Sequence, residues 1–281
     1  MQGKVVVITG ATSGIGQVAA EKLAAMGARI VQIARDRERG EAAVARLRAV
    51  APAIAHTIHY ADLSLLSEMK RVAAEIAAAE PKIDVLINNA GATFSRRQVT
   101  ADGLELTFAV NHMAYFVLTA GLRERLIACA PARIVNTASL AHRRGHIDFD
   151  DLQSEKKYKP LPVYGMTKLC NFLFTRELAR RLAGTGVTAN CLHPGLVATN
   201  FGKRAGGIYS WIFRFAIRRY GIPPEEGAKL IIRLASSPDV AQRSGDYFSE
   251  QGPPEPTAEA QDDNVARRLW SASEKIAGIT W

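Results

Sequence analysis

Residues 4–16 of the chain read Lys4-Val5-Val6-Val7-Ile8-Thr9-Gly10-Ala11-Thr12-Ser13-Gly14-Ile15-Gly16. The β-branched run at 4–8 is typical of a buried parallel strand. It leads directly into a glycine-rich turn, and helix-forming residues follow from Gln17 to Met26. A strand, a glycine turn and a helix in this order direct backbone N–H groups and the positive end of a helix at a phosphate. This stretch therefore predicts a nucleotide-binding α/β fold.

The three glycines of the turn have different expected roles. Gly10 permits the tight turn, Gly14 lets the backbone approach a pyrophosphate, and Gly16 lets the helix pack closely on the strand. The spacing is G-x-x-x-G-x-G rather than the common G-x-G-x-x-G, and a plain strand-to-helix turn would also use glycine. The position between a strand and a helix favours binding. We therefore assign cofactor binding to Gly10, Thr12, Ser13, Gly14, Ile15 and Gly16.

A second strand is predicted at 29–34, and the residues that follow it decide the cofactor. The end of this strand faces the adenosine ribose in such folds. An acid there accepts hydrogen bonds from a 2′-hydroxyl, whereas a base pairs with a 2′-phosphate. With the strand ending at Ala34, Arg35 faces the ribose and Asp36 is the N-cap of the next helix. This favours NADP(H) over NAD(H); the alternative is a solvated charged loop.

The alternation of apolar runs and helix-forming segments continues along the chain. Further strands are predicted at 54–59, 83–87, 133–139, 187–192 and 244–249, helices at 37–50, 64–79, 104–126, 163–182, 223–235 and 264–277, and a loop at 251–263. Strands that alternate with helices in this rhythm form a doubly wound (Rossmann) parallel sheet of about seven strands, with helices on both faces. No break in composition divides the chain, so we expect a single domain over residues 1–281.

Polar residues follow the middle strands. Asp62, with Leu63 beside it, either accepts a hydrogen bond from the adenine amino group or caps the helix predicted at 64–79. The fourth strand ends in Asn88-Asn89-Ala90-Gly91, which predicts a bracing turn at the carboxyl edge of the sheet, where ligands bind. Asn111 lies inside a predicted helix, where asparagine lowers helix propensity. It either has a role, such as holding a water, or is a satisfied polar core residue.

The predicted helix at 163–182 contains Tyr164-Gly165-Met166-Thr167-Lys168. Residues four apart stack on one helix face, and a nearby ammonium favours a phenolate and lowers the pKa of the phenol. A phenol that normally titrates near ~10 needs this help to exchange protons near neutral pH. Ser139, at the end of the fifth strand, reaches the same edge of the sheet. Alone, the Tyr–Lys spacing is more often a surface pair.

Composition limits the classes of function. The chain has 48% hydrophobic and 22% charged residues, three widely spaced cysteines and a net charge of +9. No apolar run reaches the ~18 residues of a membrane span, and no signal peptide is recognised, so we expect a cytoplasmic protein with reduced thiols. His142 and His146 lack the glutamate and the helix of a zinc motif, so no metal site is predicted. Basic residues are dispersed, which argues against nucleic acid.

Taken together and in order, these motifs resemble those of the short-chain dehydrogenase/reductase family. They are Thr9-Gly10-x-x-x-Gly14-x-Gly16, Asn88-Asn89-Ala90-Gly91, Asn111, Ser139, Tyr164-x-x-x-Lys168 and Pro194-Gly195. Four short segments also resemble the sequence patterns of the retinol dehydrogenase-like branch. They are Ala34-Arg35-Asp36, Val110-Asn111-His112, Val135–Ser139 and Ala266–Trp270. The resemblance covers essentially the whole chain. Membrane-bound members of that branch have an apolar N-terminal anchor, which is not seen here.

The resemblance implies roles for individual residues. Tyr164 would be the general acid/base, Lys168 would lower its pKa and hold the nicotinamide ribose, Ser139 would polarise the substrate oxygen, and Asn111 would join a water-linked proton relay. It supports Arg35 as the NADP selector and Asp62 as an adenine contact. The remaining cofactor-binding residues implied are Leu63, Asn89, Ala90, Gly91, Pro194, Gly195, Val197 and Thr199, with Thr199 at the carboxamide.

The aromatic-rich segment 201–222 is expected to be a substrate lid. A large apolar lid would suit a lipophilic carbonyl or alcohol; alternatively, 208–220 lies on a membrane surface or is an ordinary packed helix. His142 and His146 are expected in a solvated loop beside the pocket. The prediction is an NADP(H)-dependent oxidoreductase acting on such a substrate, with a non-catalytic cofactor-binding regulatory protein as the alternative. The family implies a homodimer or homotetramer.

Overall fold

The computed structural model describes residues 1–197, 221–250, 252 and 256–281. Within these residues, seven strands form one parallel sheet in the order β3-β2-β1-β4-β5-β6-β7. In chain order the strands are β1 (Val5–Thr9), β2 (Arg29–Ala34), β3 (Thr57–Tyr60), β4 (Val85–Asn88), β5 (Ala132–Thr137), β6 (Val187–Leu192) and β7 (Tyr247–Phe248). The fold class predicted from the sequence is confirmed.

Helices cover both faces of the sheet. They are α1 (Gly14–Ala25), α2 (Arg37–Val50), α3 (Leu66–Ala79), α4 (Leu106–Phe108), α5 (Ala114–Ala128), α6 (Pro160–Arg181), α7 (Pro224–Ser236), α8 (Ala258–Gln261) and α9 (Asp263–Ala277). On one face Leu23 of α1 and Ile231 of α7 belong to one apolar core. On the other, Leu118 of α5, Leu169 of α6 and Trp270 of α9 belong to a second. The central strands β1, β2, β4, β5 and β6 therefore contribute residues to both cores, whereas the edge strand β3 is only half-buried.

The order of strands reverses between β1 and β4. From β1 the chain moves outward to β2 and β3, then returns to add β4 on the other side. Connections that leave in opposite directions open a crevice at the carboxyl ends of these two strands, which is where doubly wound sheets bind ligands. Among the helices of the described residues, none combines the length and apolarity that a bilayer crossing requires.

Several boundaries agree with the sequence, and others differ. The strands predicted at 29–34 and 187–192 form as predicted, and α9 ends at Gly278, whose φ of 58° suits a glycine cap. The strands predicted at 54–59 and 244–249 shorten to Thr57–Tyr60 and Tyr247–Phe248. Nearly all of the predicted lid, 201–220, lies outside the described residues.

The predicted helix at 104–126 is not continuous. A short helix, α4, leads into a π-helical turn at Ala109–Met113, and a regular helix begins only at Ala114. Glu105 also forms an isolated bridge with Val99, and its carboxylate accepts hydrogen bonds from the backbone N–H of Phe108 and the hydroxyl of Thr107. This side chain caps the segment, so the helix begins after Glu105 rather than at Leu104.

Two further helix starts correct the sequence-based boundaries. The helix predicted from 163 begins at Pro160, because a proline in the first turn needs no hydrogen-bond donor and already has a helical φ. The helix predicted from 64 begins at Leu66, whose backbone N–H is bound by the carboxylate of Asp102 at 2.7 Å. In the loop predicted at 251–263, residues Ala258–Gln261 form a short helix that is capped by the hydroxyl of Thr257.

Candidate active site

A cleft of about 1830 Å³ opens at the carboxyl edge of the sheet. Most of the predicted site residues line it: Gly10, Thr12, Ser13, Gly14, Ile15, Arg35, Asp62, Leu63, Asn89, Ala90, Gly91, Ser139, Tyr164, Lys168, Pro194, Gly195 and Val197. Gly16 and Asn111 lie in the protein beneath its surface. Thr199 falls outside the described residues. The fold thus brings most of the predicted cofactor and catalytic residues into one cavity.

The glycine turn is held against β4 too closely for side chains. A Cβ atom on Gly16 would lie 2.3 Å from the carbonyl oxygen of Gly10 and 2.4 Å from Nδ2 of Asn89. That same Nδ2 donates hydrogen bonds to the carbonyls of Thr9 and Gly10, both at 3.2 Å. Gly10 and Gly14 have φ of 69° and 61°, values that favour glycine. The bracing role predicted for the Asn89 turn is therefore present.

The start of helix α1 suits an anion. Its N-cap residue, Ser13, makes no side-chain capping bond within the described part of the chain. The N–H groups of the first turn are consequently available to an acceptor in the cleft, at the positive end of the helix dipole. These features fit the phosphates of a dinucleotide.

The end of β2 agrees with the sequence interpretation. The strand stops at Ala34, and Arg35 is exposed and lines the cleft. Asp36 accepts a hydrogen bond from the backbone N–H of Arg39 at 2.8 Å and caps α2, as predicted. The side chain of Arg39 also lines the cleft, which the sequence analysis missed. The signal was available, since a residue in the first turn after a strand lies near the strand end.

Asp62 forms a local turn instead of a helix cap. One of its carboxylate oxygens accepts from the backbone N–H of Ser64 at 3.0 Å, two residues further on. Helix α3 starts later, with Leu65 as its N-cap residue. The capping alternative for Asp62 is therefore wrong, while its place in the cleft beside Leu63 is compatible with the adenine role.

Ser139 and Tyr164 meet at the opposite end of the cleft. Ser139 follows β5 and begins a 3-10 turn at Leu140–Arg144, and its hydroxyl accepts from the backbone N–H of Ala141 at 3.2 Å. The phenol hydroxyl of Tyr164 is hydrogen-bonded to the Ser139 side chain. One helical turn after Tyr164, the ammonium of Lys168 lies 5.7 Å from the centre of its ring. The expected stacking on one helix face is present.

Burial governs the proton affinities of this pair. Lys168 is 2% exposed, and its Nζ donates to the carbonyl of Thr137 at 2.8 Å. Desolvation lowers the pKa of Lys168 to about 7. It also raises the pKa of Tyr164, with the Ser139 hydrogen bond acting in the opposite direction, although the tyrosine side chain is partly exposed to the cleft. Among the described residues, only the Ser139 hydrogen bond lowers the pKa of Tyr164, so the lowering expected from Lys168 is not found.

Asn111 joins two elements of the site from its π-helical turn. Its Nδ2 donates to the carbonyl of Ala92 at 2.9 Å and to the hydroxyl of Thr167 at 3.0 Å. Its Oδ1 accepts from the backbone N–H of Ala92 at 2.8 Å. The side chain therefore braces the Gly91 loop against helix α6, one residue before Lys168. Its relay role stays a prediction.

The two histidines after Ser139 differ from each other. His142 is fully buried, in contrast to the predicted solvated loop; its Nδ1 contacts the Ser139 carbonyl at 2.7 Å, and its ring stacks on Phe172. His146 is exposed as expected and contacts Glu259 at 3.1 Å. Neither histidine lines the cleft, but Arg143 and Arg144 between them do. The stacking partner that buries His142 is thirty residues away in the sequence, so the local sequence pattern around His142 could not predict its burial.

His193 also lines the cleft and was missed from the sequence. It follows β6 directly, which is the positional signal that marked Ser139 after β5. Burial and the neighbouring His142 lower its pKa to about 4, so the imidazole is neutral near pH 7. A neutral ring beside Ser139's turn can donate or accept a hydrogen bond without adding charge.

Comparisons with known proteins identify the family of the chain. A family profile described as short chain dehydrogenase matches residues 4–206. The chain is 41% identical to human retinol dehydrogenase 14 over 294 residues, covering 99% of this chain and 88% of that protein. It is also 41% identical to human retinol dehydrogenase 13 over 288 residues, covering 99% and 85% respectively.

Solved structures give the same assignment. An uncharacterised protein from Mycobacterium paratuberculosis aligns with a TM-score of 0.79 and 32% identity, covering 99% of this chain and 94% of that one. RhlG of Pseudomonas aeruginosa, in an active-site complex with NADP, aligns with a TM-score of 0.71 and 25% identity over 95% and 97% of the two chains. The chain therefore belongs to the short-chain dehydrogenase/reductase family of oxidoreductases, and within it to the retinol dehydrogenase-like branch.

Proposed function

We propose that the protein is an NADP(H)-dependent oxidoreductase that transfers a hydride between nicotinamide and a lipophilic carbonyl or alcohol, with Tyr164 as general acid/base. The observation that carries the proposal is the hydrogen-bonded pair of Ser139 and Tyr164 at one end of the cleft, with Lys168 a helical turn away. The presence of Ser139, Tyr164 and Lys168 in this arrangement argues against the alternative of a non-catalytic regulatory protein.

The preference for NADP(H) rests on two arginines. Arg35 and Arg39 line the cleft at the end of β2, and neither makes an ion pair with any residue in the described ranges. Asp36, the acid that would recognise a ribose 2′-hydroxyl, is already engaged as a helix cap. Two guanidinium groups without acidic partners suit a 2′-phosphate. The NADP complex of the related RhlG is in agreement.

The chemistry follows from the positions of the side chains. When bound, the nicotinamide supplies or accepts the hydride. The substrate oxygen would lie between the hydroxyls of Ser139 and Tyr164, where two donors fixed in advance stabilise developing negative charge. Tyr164 donates its proton to that oxygen in reduction and removes it in oxidation. Lys168, whose Nζ donates to the Thr137 carbonyl, would support the phenolate and hold the ribose of the bound cofactor. Asn111 keeps the Gly91 loop and α6 in register.

Apolar side chains support a lipophilic substrate. Those that line the cleft include Phe94, Leu140, Leu161, Leu196 and Ile222. The retinol dehydrogenases to which the chain is similar act, by name, on a lipophilic alcohol. We therefore expect retinal-like aldehydes, other long-chain or aromatic aldehydes, or ketones as substrates.

The test follows NADPH consumption with retinal, long-chain and aromatic aldehydes, steroids and quinones. Tyr164→Phe should lower kcat by about 10²–10⁴-fold while NADPH binding, followed by fluorescence titration, persists. Tyr60→Phe is the matched control, because its hydroxyl contacts only the carbonyl of Arg37 within the described structure. Near-normal turnover by Tyr164→Phe would refute the catalytic assignment. NADPH binding without any turnover would favour the regulatory alternative, and no NADPH binding would refute the cofactor.

Three further expectations belong to this proposal. We expect a cytoplasmic enzyme that forms a homodimer or homotetramer, which light scattering after size exclusion will measure. Contact of 208–220 with a membrane surface is tested by co-sedimentation with anionic liposomes. Nucleic acid is not an expected partner, because the positive charge is dispersed along the chain.

A further inference from the structure

Two adjacent arginines face the catalytic end of the cleft. Arg143 and Arg144 end the 3-10 turn that begins at Ser139. Both side chains are exposed, and both line the cleft together with Ser139 and Tyr164. The catalytic serine and this double positive charge are thus carried by a single turn of the backbone.

The two guanidinium groups have no acidic partner. Elsewhere on the surface, arginines commonly pair with acids, as Arg176 does with Asp263 at 2.9 Å and Arg71 with Glu68 at 2.7 Å. Neither Arg143 nor Arg144 has such an ion pair with any described residue. The residues outside the described ranges contain one acid, Glu255, by sequence. The charge at this end of the cleft is therefore available to a ligand.

The acidic residues that line the cleft do not pair with Arg143 or Arg144. Asp36 and Asp62 follow β2 and β3 and are engaged in local turns. Glu226 pairs with Lys229 at 2.6 Å, and Glu250 also acts on the pKa of that lysine. None of the four is an ion-pair partner of Arg143 or Arg144 in the described structure. An anion beside the two arginines would thus meet an uncompensated positive charge.

These arginines are too far from the ribose end to serve the same phosphate as Arg35 and Arg39. Strands β2 and β5 are separated by β1 and β4. Three spacings between strands amount to about 14 Å. The pair after β2 lies where the adenosine ribose binds, whereas the pair after β5 lies beside Ser139 and Tyr164. The second pair is therefore directed at the substrate.

The wall around the second pair is apolar. Leu140 and Leu161 are each 39% exposed, which is unusual for large apolar side chains, and both line the cleft with Pro162 and Phe94. We propose that the substrate is an amphipathic aldehyde or ketone, whose apolar chain lies along this wall and whose carboxylate binds Arg143 and Arg144. This inference rests on the proposed oxidoreductase function and specifies its substrate class.

The geometry sets a minimum length for the substrate. A 3-10 helix rises about 2.0 Å per residue, so the backbone of Arg143 lies about 8 Å along the turn from Ser139. A carboxylate next to the reacting carbonyl, as in a 2-oxo acid, would require an arginine side chain to fold back over Ser139 to meet it. A carboxylate at the far end of a chain would not. The favoured substrates are thus ω-oxo acids rather than 2-oxo acids.

The test compares the ω-aldehyde of a long-chain fatty acid with its methyl ester, at equal chain length and with NADPH. The ratio of kcat/KM for the acid to that for the ester should be about tenfold in the native protein, equivalent to about 1.4 kcal/mol, and should arise mainly in KM. In the double variant Arg143→Gln and Arg144→Gln the ratio should fall to about one. Raising the salt concentration should lower the native ratio.

The control removes two positive charges elsewhere. Arg48 and Arg267 are exposed and do not line the cleft, so Arg48→Gln with Arg267→Gln should preserve the acid-to-ester ratio. A native ratio near one, or a ratio that survives in the Arg143/Arg144 double variant, overturns the inference. A ratio that falls equally in the control attributes the effect to net charge and overturns it too.

Binding separates this inference from the proposed function. The long-chain fatty acid itself and its methyl ester cannot accept a hydride as the aldehyde does, so their affinities are measured by calorimetry with NADP-loaded protein. About tenfold tighter binding of the acid, lost in the Arg143/Arg144 variant, supports the anion site even if no aldehyde is turned over. Equal binding of acid and ester refutes the site even if turnover is rapid.

Discussion

The two ends of the cleft differ in the groups that form them and in how deeply those groups are buried. At the cofactor end, the glycine turn presents backbone groups, and the charged side chains Arg35 and Arg39 are exposed. At the catalytic end, Asn111 and Lys168 are almost completely buried, and each is tied to backbone carbonyls or hydroxyls of other elements. Phosphate recognition needs positive charge and close contact between the phosphate and the backbone, and a surface provides both. Proton transfer needs fixed positions and a controlled pKa, which only a packed interior provides.

The largest effect that can test this contrast comes from Asn111→Leu. The substitution removes three buried hydrogen bonds and leaves the N–H and carbonyl of Ala92 without partners. At about 1–3 kcal/mol for each unsatisfied group, we expect the free energy of unfolding in urea to fall by about 2–5 kcal/mol and kcat to fall with it. Asn190→Leu breaks two comparable bonds, to Arg243 and Asp246, away from the cleft. It should cost stability but not kcat; an equal loss of kcat would contradict the bracing role.

A smaller effect is expected from Gly16→Ala at the cofactor end. The added Cβ would meet the backbone oxygen of Gly10 at 2.3 Å, and backbone cannot move aside as a flexible side chain can. We expect a loss of about 1–3 kcal/mol in the free energy of unfolding, together with weaker NADPH binding. Gly121→Ala is the matched control, since its Cβ would crowd Ala73 at 2.6 Å, remote from the cleft. If both variants lose NADPH affinity alike, the turn is not specific to the cofactor.

Removing the exposed Arg35 and Arg39 should have a smaller effect, confined to the affinity for NADPH. Arg35→Ser combined with Arg39→Ser should weaken NADPH binding by about tenfold, or about 1.4 kcal/mol, and leave NADH binding unchanged, because only NADPH carries the 2′-phosphate. Arg37→Ser serves as the control; its guanidinium lies over the ring of Tyr60 and does not line the cleft. Fluorescence titration with both cofactors measures the change. An equal loss for NADH would refute the assignment of these arginines to the phosphate.

The last effect concerns pH. Burial raises the pKa of Tyr164, so the phenol keeps its proton across the neutral range. Reduction uses this protonated phenol together with the charge of Lys168, whose pKa burial lowers to about 7. The kcat for reduction should therefore be level below pH 7 and fall above it, as Lys168 loses its proton. Oxidation gains from the phenolate, whose population rises with pH, so its kcat should fall less than that for reduction. A kcat for reduction that stays level from about pH 6 to 9 would show that the charge of Lys168 is not required.

The sequence predicted the cofactor end closely because local signals determine it. The end of β2 at Ala34 and the capping role of Asp36 follow from a run of apolar residues and from capping preference. Arg39 was missed because the interpretation used the strand end alone, although the first turn of α2 lies beside it. The capping alternative for Asp62 was wrong because the helix start depends on Asp102, a residue forty positions away.

At the end of the cleft proposed to be catalytic, the sequence brought Ser139, Tyr164 and Lys168 together but did not indicate their environment. Spacing in the sequence paired Tyr164 with Lys168, yet the desolvation that shifts both pKa values comes from tertiary packing. The burial of His142 depends on the ring of Phe172, which stacks on it. Arg143 and Arg144 are exposed in the same 3-10 turn, Leu140–Arg144. Helix periodicity over 104–126 could not indicate the π-helical turn, since the turn residues other than Asn111, namely Ala109, Val110, His112 and Met113, all occur in regular α-helices.

The π-helical turn at Ala109–Met113 constrains how the chain can change in length during evolution. Such a turn holds one residue more than an α-helical turn, and each residue of an α-helix rotates the chain by about 100°. Loss of one residue here would yield a regular helix, but Asn111 or the whole of α5 would then face a different direction. Lineages related to this chain can vary the side chains of the turn, yet they should keep its number of residues constant.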